Sequence, residues 1–153
     1  MTLQDEPVMP AQAPVDVLII GAGVSGINMA VRLQQILPNK TYTILENKSE
    51  LGGTWHTFQY PGVRTDTDVW SYSYPFNPWK KNKRFGSGRM VLNYLIETAN
   101  KFNITPHIKY NHKVINANWD SSNNVWNITV QNNEKIINIK SQFLITGTGF
   151  YNH

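Results

Sequence analysis

Residues 16–26 read Asp16-Val17-Leu18-Ile19-Ile20-Gly21-Ala22-Gly23-Val24-Ser25-Gly26, an apolar run that breaks into three spaced glycines. Val17 to Ile20 are all apolar and mostly β-branched, and they run straight into a glycine. That is the pattern of a short strand buried on both faces. Gly21, Gly23 and Gly26 fit G-x-G-x-x-G. From Val24 to Leu37 the apolar residues Ile27, Ala30, Val31, Leu33 and Leu37 recur at helical spacing, and Pro38 and Asn39 stop the helix. Thr41 to Leu45 reads as a second strand. Together these pieces make a β-α-β unit of about 30 residues.

Glu46 ends the second strand, about 20 residues beyond Gly26. The chemistry of this spacing is direct. Gly21 permits a tight turn, Gly23 lets backbone approach a pyrophosphate, and Gly26 lets helix pack on strand. The helix start, with Ser25 in its first turn, offers unpaired N–H groups and partial positive charge to phosphates. An acid at the strand end accepts ribose hydroxyls and repels a 2′-phosphate, so the expected dinucleotide is NAD-like or FAD-like.

Outward from this unit, residues 1–14 read as a loose tail and residues 15–153 as one domain. Residues 50–89 are crowded with Gly, Pro and aromatics and lack periodicity, which points to a functional loop. Within it Trp70, Tyr72, Tyr74 and Phe76 alternate with Ser71, Ser73 and Pro75, so an extended segment would carry all four rings on one side. A second helix is expected from Met90 to Phe102, with Asn103 as a left-handed stop. His107 to Tyr110 is a short strand. Lys113 to Trp119, Val125 to Gln131 and Lys135 to Lys140 are separated by Asn- and Asp-rich turns and read as a three-stranded antiparallel meander. Phe143 to Ile145 is a further strand that ends in Gly147-Thr148-Gly149. The expected fold is α/β and Rossmann-like: a parallel sheet with the meander inserted as a crossover.

Composition excludes much. The chain has no cysteine, so disulfides, thiolate metal sites and dithiol redox relays are ruled out. Its 14 Lys+Arg against 10 Asp+Glu give a net charge of +4, too diffuse to imply nucleic acid. The basic run Lys80-Lys81-Asn82-Lys83-Arg84 then reads as a solvated loop. No apolar run approaches 18 residues, so no membrane span is expected. The N-terminus lacks the basic start and apolar stretch of a secretory signal, and a cytoplasmic setting is the expectation. His107 and His112 are poorly spaced for one metal, and Asp66 and Asp68 lack further oxygen ligands nearby, so no metal site is expected.

Several stretches resemble a known family. Leu51-Gly52-Gly53-Thr54-Trp55 is similar to a loop of two-dinucleotide flavoproteins, in which small residues let backbone lie against the flavin. Tyr60-Pro61-Gly62-Val63-Arg64-Thr65-Asp66-Thr67-Asp68 and Phe76-Asn77-Pro78-Trp79 then resemble the class B flavoprotein monooxygenases. The likeness is to the Baeyer–Villiger type, and among them to the ethionamide-activating subgroup. It continues through His112-Lys113-Val114 and Phe143 to Asn152.

The resemblance implies FAD, NADPH and dioxygen, with a C4a-peroxyflavin that oxygenates a ketone or a soft heteroatom of a small organic substrate. By position it implies that Ser25 meets the pyrophosphate, Glu46 the adenosine ribose and Val114 the adenine through its backbone. Thr54, Trp55, His56 and Thr57, with Gly53 and Tyr72, would line the flavin side. Asp66 would sit beside the isoalloxazine ring as the catalytic residue, orienting a cation or accepting a hydrogen bond without proton chemistry of its own, and Arg64, Thr65 and Asp66 would lie in the nicotinamide-facing segment. The family usually has an acid where His56 stands. A second glycine fingerprint for NADPH, a Baeyer–Villiger signature and a C-terminal return segment do not occur. The expectation is therefore the N-terminal FAD-binding part of such an enzyme, catalytically incomplete alone and prone to self-association through an exposed strand edge. A non-catalytic FAD-holding module and an N- or S-oxygenating segment remain alternatives.

Overall fold

The computed structural model describes residues 14–151, and the tail expected over residues 1–14 lies outside them but for its last residue. The apolar run before the glycines forms β1 (Val15–Ile20), which enters α1 (Val24–Ile36) through the glycine turn. The chain returns in β2 (Tyr42–Leu45), parallel to β1 with Ile19 opposite Ile44. The connection that follows carries α2 (Thr54–Thr57), α3 (Val69–Tyr72) and α4 (Gly88–Lys101). A 3-10 turn, Thr105–His107, leads into β3 (Ile108–Lys109), parallel to β2. The meander is β4 (His112–Asp120), β5 (Val125–Asn132) and β6 (Lys135–Thr146). One six-stranded sheet results, in the order β3-β2-β1-β6-β5-β4.

Alternation along β1 and β2 explains why both faces are covered. Val17, Ile19, Tyr42 and Ile44 point into a core shared with Ile27, Ala30 and Val31 of α1 and Tyr94 and Leu95 of α4. Leu18 and Leu45 point the other way and pack on Ile128 and Val130 of β5. The meander is thus the second cover that a parallel strand buried on both faces requires. Leu18, Ile19, Ile44 and Leu45 are all fully buried, and each contributes roughly 1.5–3 kcal/mol of burial free energy.

Three expectations need correction. The strands read as residues 135–140 and 143–145 are one strand, β6. The polar pair Ser141-Gln142 marks a change of partner, not a break: Ser141 lies opposite Trp126 of β5 and Val15 of β1. Beyond it β6 pairs only with β1 among the described residues, and Phe143, opposite Val17, is 60% exposed. Second, residues 69–72 are helical. The Asp68 carboxylate accepts the Ser71 N–H at 2.8 Å and caps α3, and this local bond overrides the alternation of aromatics. The four rings therefore do not form one wall: Trp70 is exposed, while Tyr74 is buried and donates its hydroxyl to the Val24 carbonyl at 2.7 Å. Third, α4 starts before Met90 because Ser87 caps it, accepting the Met90 N–H at 3.4 Å. The helix ends as expected, with Asn103 at a φ of +54°.

Candidate functional site

Three glycine-bearing segments meet at the ends of β1, β2 and β6. The Gly21 N–H donates to the Leu45 carbonyl and the Gly147 N–H to the Ile20 carbonyl, both at 2.8 Å. The Gly52 N–H donates to the Ala22 carbonyl at 3.0 Å. Contact rules out a side chain at Gly26 and crowds one at Gly53. A Cβ on Gly26 would stand 1.9 Å from the Gly21 oxygen, so α1 sits directly on the turn. A Cβ on Gly53 would stand 3.1 Å from the Gly23 Cα, and Gly53 has a φ of +54°. The backbones of the two glycine loops therefore lie against each other. Gly23 caps α1 without a side chain, which leaves the first-turn amides, and the exposed Ser25 beside them, open to an anion.

Glu46 closes one side of this cluster. It is 5% exposed. Its Oε2 accepts the Ala22 N–H at 2.8 Å and its Oε1 the Lys48 N–H at 2.9 Å. Each carboxylate oxygen keeps a further lone pair for a hydroxyl donor. The Glu46 backbone is held as well, donating to the Lys109 carbonyl at 3.0 Å and accepting the His112 N–H at 2.8 Å. β4 starts there, and Val114 follows two residues on. Val114 is half-buried against the second core, and a bulge between Val114 and Asn116 leaves Ile115 out of the ladder. Such a bulge frees backbone groups at this point of the strand.

The other side of the cluster is α2. Trp55 donates its Nε1–H to the Tyr72 hydroxyl at 2.6 Å, the rings edge to face at 5.7 Å. Burial pushes the Tyr72 hydroxyl above the ordinary tyrosine range, against the pull of that bond. Gly53, Thr54 and Thr57 line a small cleft together with Phe58 and residues 148–151. Phe58 meets Tyr151 edge to face at 5.5 Å. Phe58 and Thr148 to Tyr151 did not emerge as site residues from the sequence. The available signal was the Gly147-Thr148-Gly149 run, whose strand lies beside β1. The His56 ring lies beside Glu50, its Nδ1 3.6 Å from Glu50 Oε2.

The segment around Arg64 is placed differently. Arg64 is exposed and lies over the Phe85 ring, 5.4 Å from its centroid. Thr65 is buried, donates its N–H to the Gly86 carbonyl at 2.9 Å and accepts the Gly86 N–H on Oγ1 at 3.2 Å. Asp66 is exposed and its carboxylate has no hydrogen-bond or ion-pair partner among the described residues. Asp68 differs: its carboxyl is held below the ordinary range first by the Ser71 N–H and then by the Ser71 hydroxyl. Among the described residues no group of three or more His, Asp or Glu could hold a metal ion.

A strand, a glycine turn, a helix start and a buried acid at the end of the next strand together define a dinucleotide-binding domain of the Rossmann type. The chain belongs to the NAD(P)-binding Rossmann-like domain family, whose model matches residues 19–95. It is similar to the FAD-containing monooxygenase EthA of Mycobacterium tuberculosis (strain ATCC 25618 / H37Rv), 38% identical over 138 residues. It is also similar to the probable FAD-binding monooxygenase AlmA of an Acinetobacter species, 39% identical over 140 residues. These matches cover 90% and 91% of this chain but 28% of each relative. The chain thus spans little more than a quarter of their length, in the N-terminal part. Among solved structures, a steroid monooxygenase bound to NADP superposes with a TM-score of 0.81 at 26% identity, covering 89% of this chain and 26% of that one. These relatives bear out the flavoprotein monooxygenase resemblance read from the sequence.

Proposed function

We propose that this chain is the FAD-binding segment of a flavoprotein monooxygenase that uses NADPH and dioxygen to oxygenate ketones or soft heteroatoms of small organic molecules. The observation that carries the reading is the contact of the Gly23 and Gly53 backbones beside the buried Glu46 carboxylate. A side chain on Gly53 would press on the opposite loop, so the two loops present bare backbone to whatever lies along them. An extended dinucleotide needs such a surface, with an acid at its ribose end. The residues present fit FAD. Supporting this, EthA is a FAD-containing monooxygenase, and another neighbour, 30% identical, is a complex with FAD and NADP.

In this reading Gly21, Gly23, Ser25 and Gly26 hold the pyrophosphate by backbone amides and one hydroxyl. Glu46 accepts the ribose hydroxyls with the lone pairs left by Ala22 and Lys48, and the Val114 backbone meets the adenine. Gly53, Thr54, Trp55 and Thr57 face the flavin half, His56 belongs to the same helix with its ring beside Glu50, and Tyr72 fixes the indole of Trp55 through their hydrogen bond. FAD, when bound, supplies electron transfer from NADPH and the activation of dioxygen. Asp66 is the acid in the nicotinamide-facing segment, and its unpartnered carboxylate is free to orient a cation there. The Thr65 side chain is committed to Gly86, so Thr65 serves by fixing the backbone between Arg64 and Asp66.

The test is to supply the 153-residue chain with FAD and NADPH and follow NADPH loss and oxygenation of a ketone and a thioether. The sequence carries one phosphate-binding turn, so turnover should not exceed that of free FAD. FAD-dependent turnover above that background would overturn the reading that this segment works only with a second dinucleotide site.

A further inference from the structure

We propose that the open groove between residues 62–64 and 83–90 is a second anion site, one that binds a phosphate ester or pyrophosphate group apart from the glycine turns. The groove has a volume of about 430 Å³ and is lined by Arg64, Lys83 and Arg89, with Ser87 at its rim and Phe85 and Met90 as apolar surface. None of these residues lines the cleft at α2.

The arrangement of cations carries the inference. Arg64 and Arg84 both lie over the Phe85 ring, each guanidinium 5.4 Å from its centroid. A ring face attracts a cation, but two cations on one ring also repel each other. Lys83 and Arg89 add like charge to the same surface. Among the described residues no carboxylate lies within ion-pair distance of any of the four. The ion pairs found there are Lys40 with Asp16 and His56 with Glu50. Asp68 offsets part of the Arg84 charge at longer range, while its oxygens accept the Ser71 N–H and hydroxyl. Three basic side chains, Arg64, Lys83 and Arg89, thus line one concave surface with Arg84 beside it, and a bound anion would relieve their mutual repulsion.

The site is also held in shape. The Gly88 N–H donates to the Val63 carbonyl at 2.8 Å and the Thr65 N–H to the Gly86 carbonyl at 2.9 Å, which ties one wall to the other. A ligand therefore meets positions fixed in advance, which lowers the cost of binding. Guanidinium forks match two oxygens of one phosphate and select it over a point contact. The Ser87 hydroxyl accepts the Met90 N–H and keeps its own hydrogen to donate. Two sources share this chemistry: the phosphates of a nicotinamide dinucleotide, and a free phosphate ester.

The experiment is a titration of the ¹⁵N-labelled full chain with sodium pyrophosphate, read by amide shifts, for the natural chain, for Lys83→Gln/Arg89→Gln and for Gly23→Val. We expect saturable shifts in residues 62–64 and 83–90, retained in Gly23→Val, and an affinity lowered by about tenfold in the double variant. Shifts confined to residues 21–26, or equal affinity in the double variant, would overturn the proposal, because pyrophosphate would then be reporting the glycine turn or nothing local. NADPH, NADH and glucose 6-phosphate are run in parallel. Tighter binding of NADPH than of NADH assigns the groove to a 2′-phosphate, and tighter binding of glucose 6-phosphate to a free ester. A duplex DNA that moves the same amides at lower concentration than any of these would refute a small-anion site.

Discussion

Replacing Glu46 with Gln should destabilise the fold even with no dinucleotide present. The Glu46 carboxylate accepts two backbone N–H groups, from Ala22 at 2.8 Å and from Lys48 at 2.9 Å, and the residue is 5% exposed. Gln offers one acceptor oxygen and one amide nitrogen. Whichever way the amide turns, one of the two N–H groups faces another donor and loses its partner. A hydrogen bond to a charged group is worth about 1.5–3 kcal/mol, and a donor left unsatisfied in a buried place costs a similar amount. A loss of about 2 kcal/mol is a factor of about 30 in the folding equilibrium. Glu46→Asp keeps the charge but shortens the reach, so it should lose one of the two bonds as well. Urea denaturation of the dinucleotide-free protein, followed by tryptophan fluorescence, measures this directly. If Glu46→Gln unfolds within about 0.5 kcal/mol of the natural chain, the size expected of a neutral surface change, then the carboxylate does not hold the glycine turn. The same variant should also bind FAD less tightly.

Other outcomes follow from the same geometry. Gly23→Val places branched carbon where Gly53 lies 3.5 Å from a Cβ, so the protein should purify without flavin yet keep its circular dichroism; a yellow preparation at full occupancy would count against the phosphate-turn reading. Asp16 sits with its carboxyl lowered to about 2, first by the Lys40 hydrogen bond and then by Thr41. Its folded value is below its unfolded one, so its contribution is present above about pH 4 and fades as pH falls through 2. Asp16→Asn should therefore be less stable than the natural chain at pH 6 and should converge with it in acid unfolding near pH 2. Phe143, 60% exposed beside the unpaired edge of β6, should drive self-association. Sedimentation of Phe143→Lys at matched concentrations should show fewer oligomers; an unchanged distribution places the contact elsewhere.

What the sequence revealed and what it hid follow from the range of the interactions. The unit from Asp16 to Glu46 was legible because its signals are local and agree: β-branched run, three glycines, apolar stripe and strand-end acid. The continuity of β6 was not, because Ser141 is polar and nothing nearby shows that it exchanges one neighbour strand for another. The helical turn at 69–72 was masked by an alternation of rings that the Asp68 cap overrides. Among the candidate site residues, the two glycine loops and Glu46 are linked through Ala22, which accepts the Gly52 N–H and donates to the Glu46 carboxylate. Arg64 and Thr65 were read as one segment with Asp66, but their side chains go to Phe85 and Gly86, in the stretch before α4 that no pattern near Arg64 signals. The cleft residues Phe58 and Thr148 to Tyr151 are distant in sequence and are joined by the parallel pairing of β6 with β1.

If the glycine turn and Glu46 hold the adenosine diphosphate half of FAD, the adenosine end must carry much of the affinity. Equilibrium titration of the purified chain with FAD, FMN and riboflavin, read by flavin fluorescence, tests it most directly. FMN and riboflavin carry the same ring system without the adenosine. FAD should bind saturably at 1:1, with FMN at least about tenfold weaker and riboflavin weaker still. Equal affinity for FAD and FMN, or no saturable FAD binding at all, would contradict it.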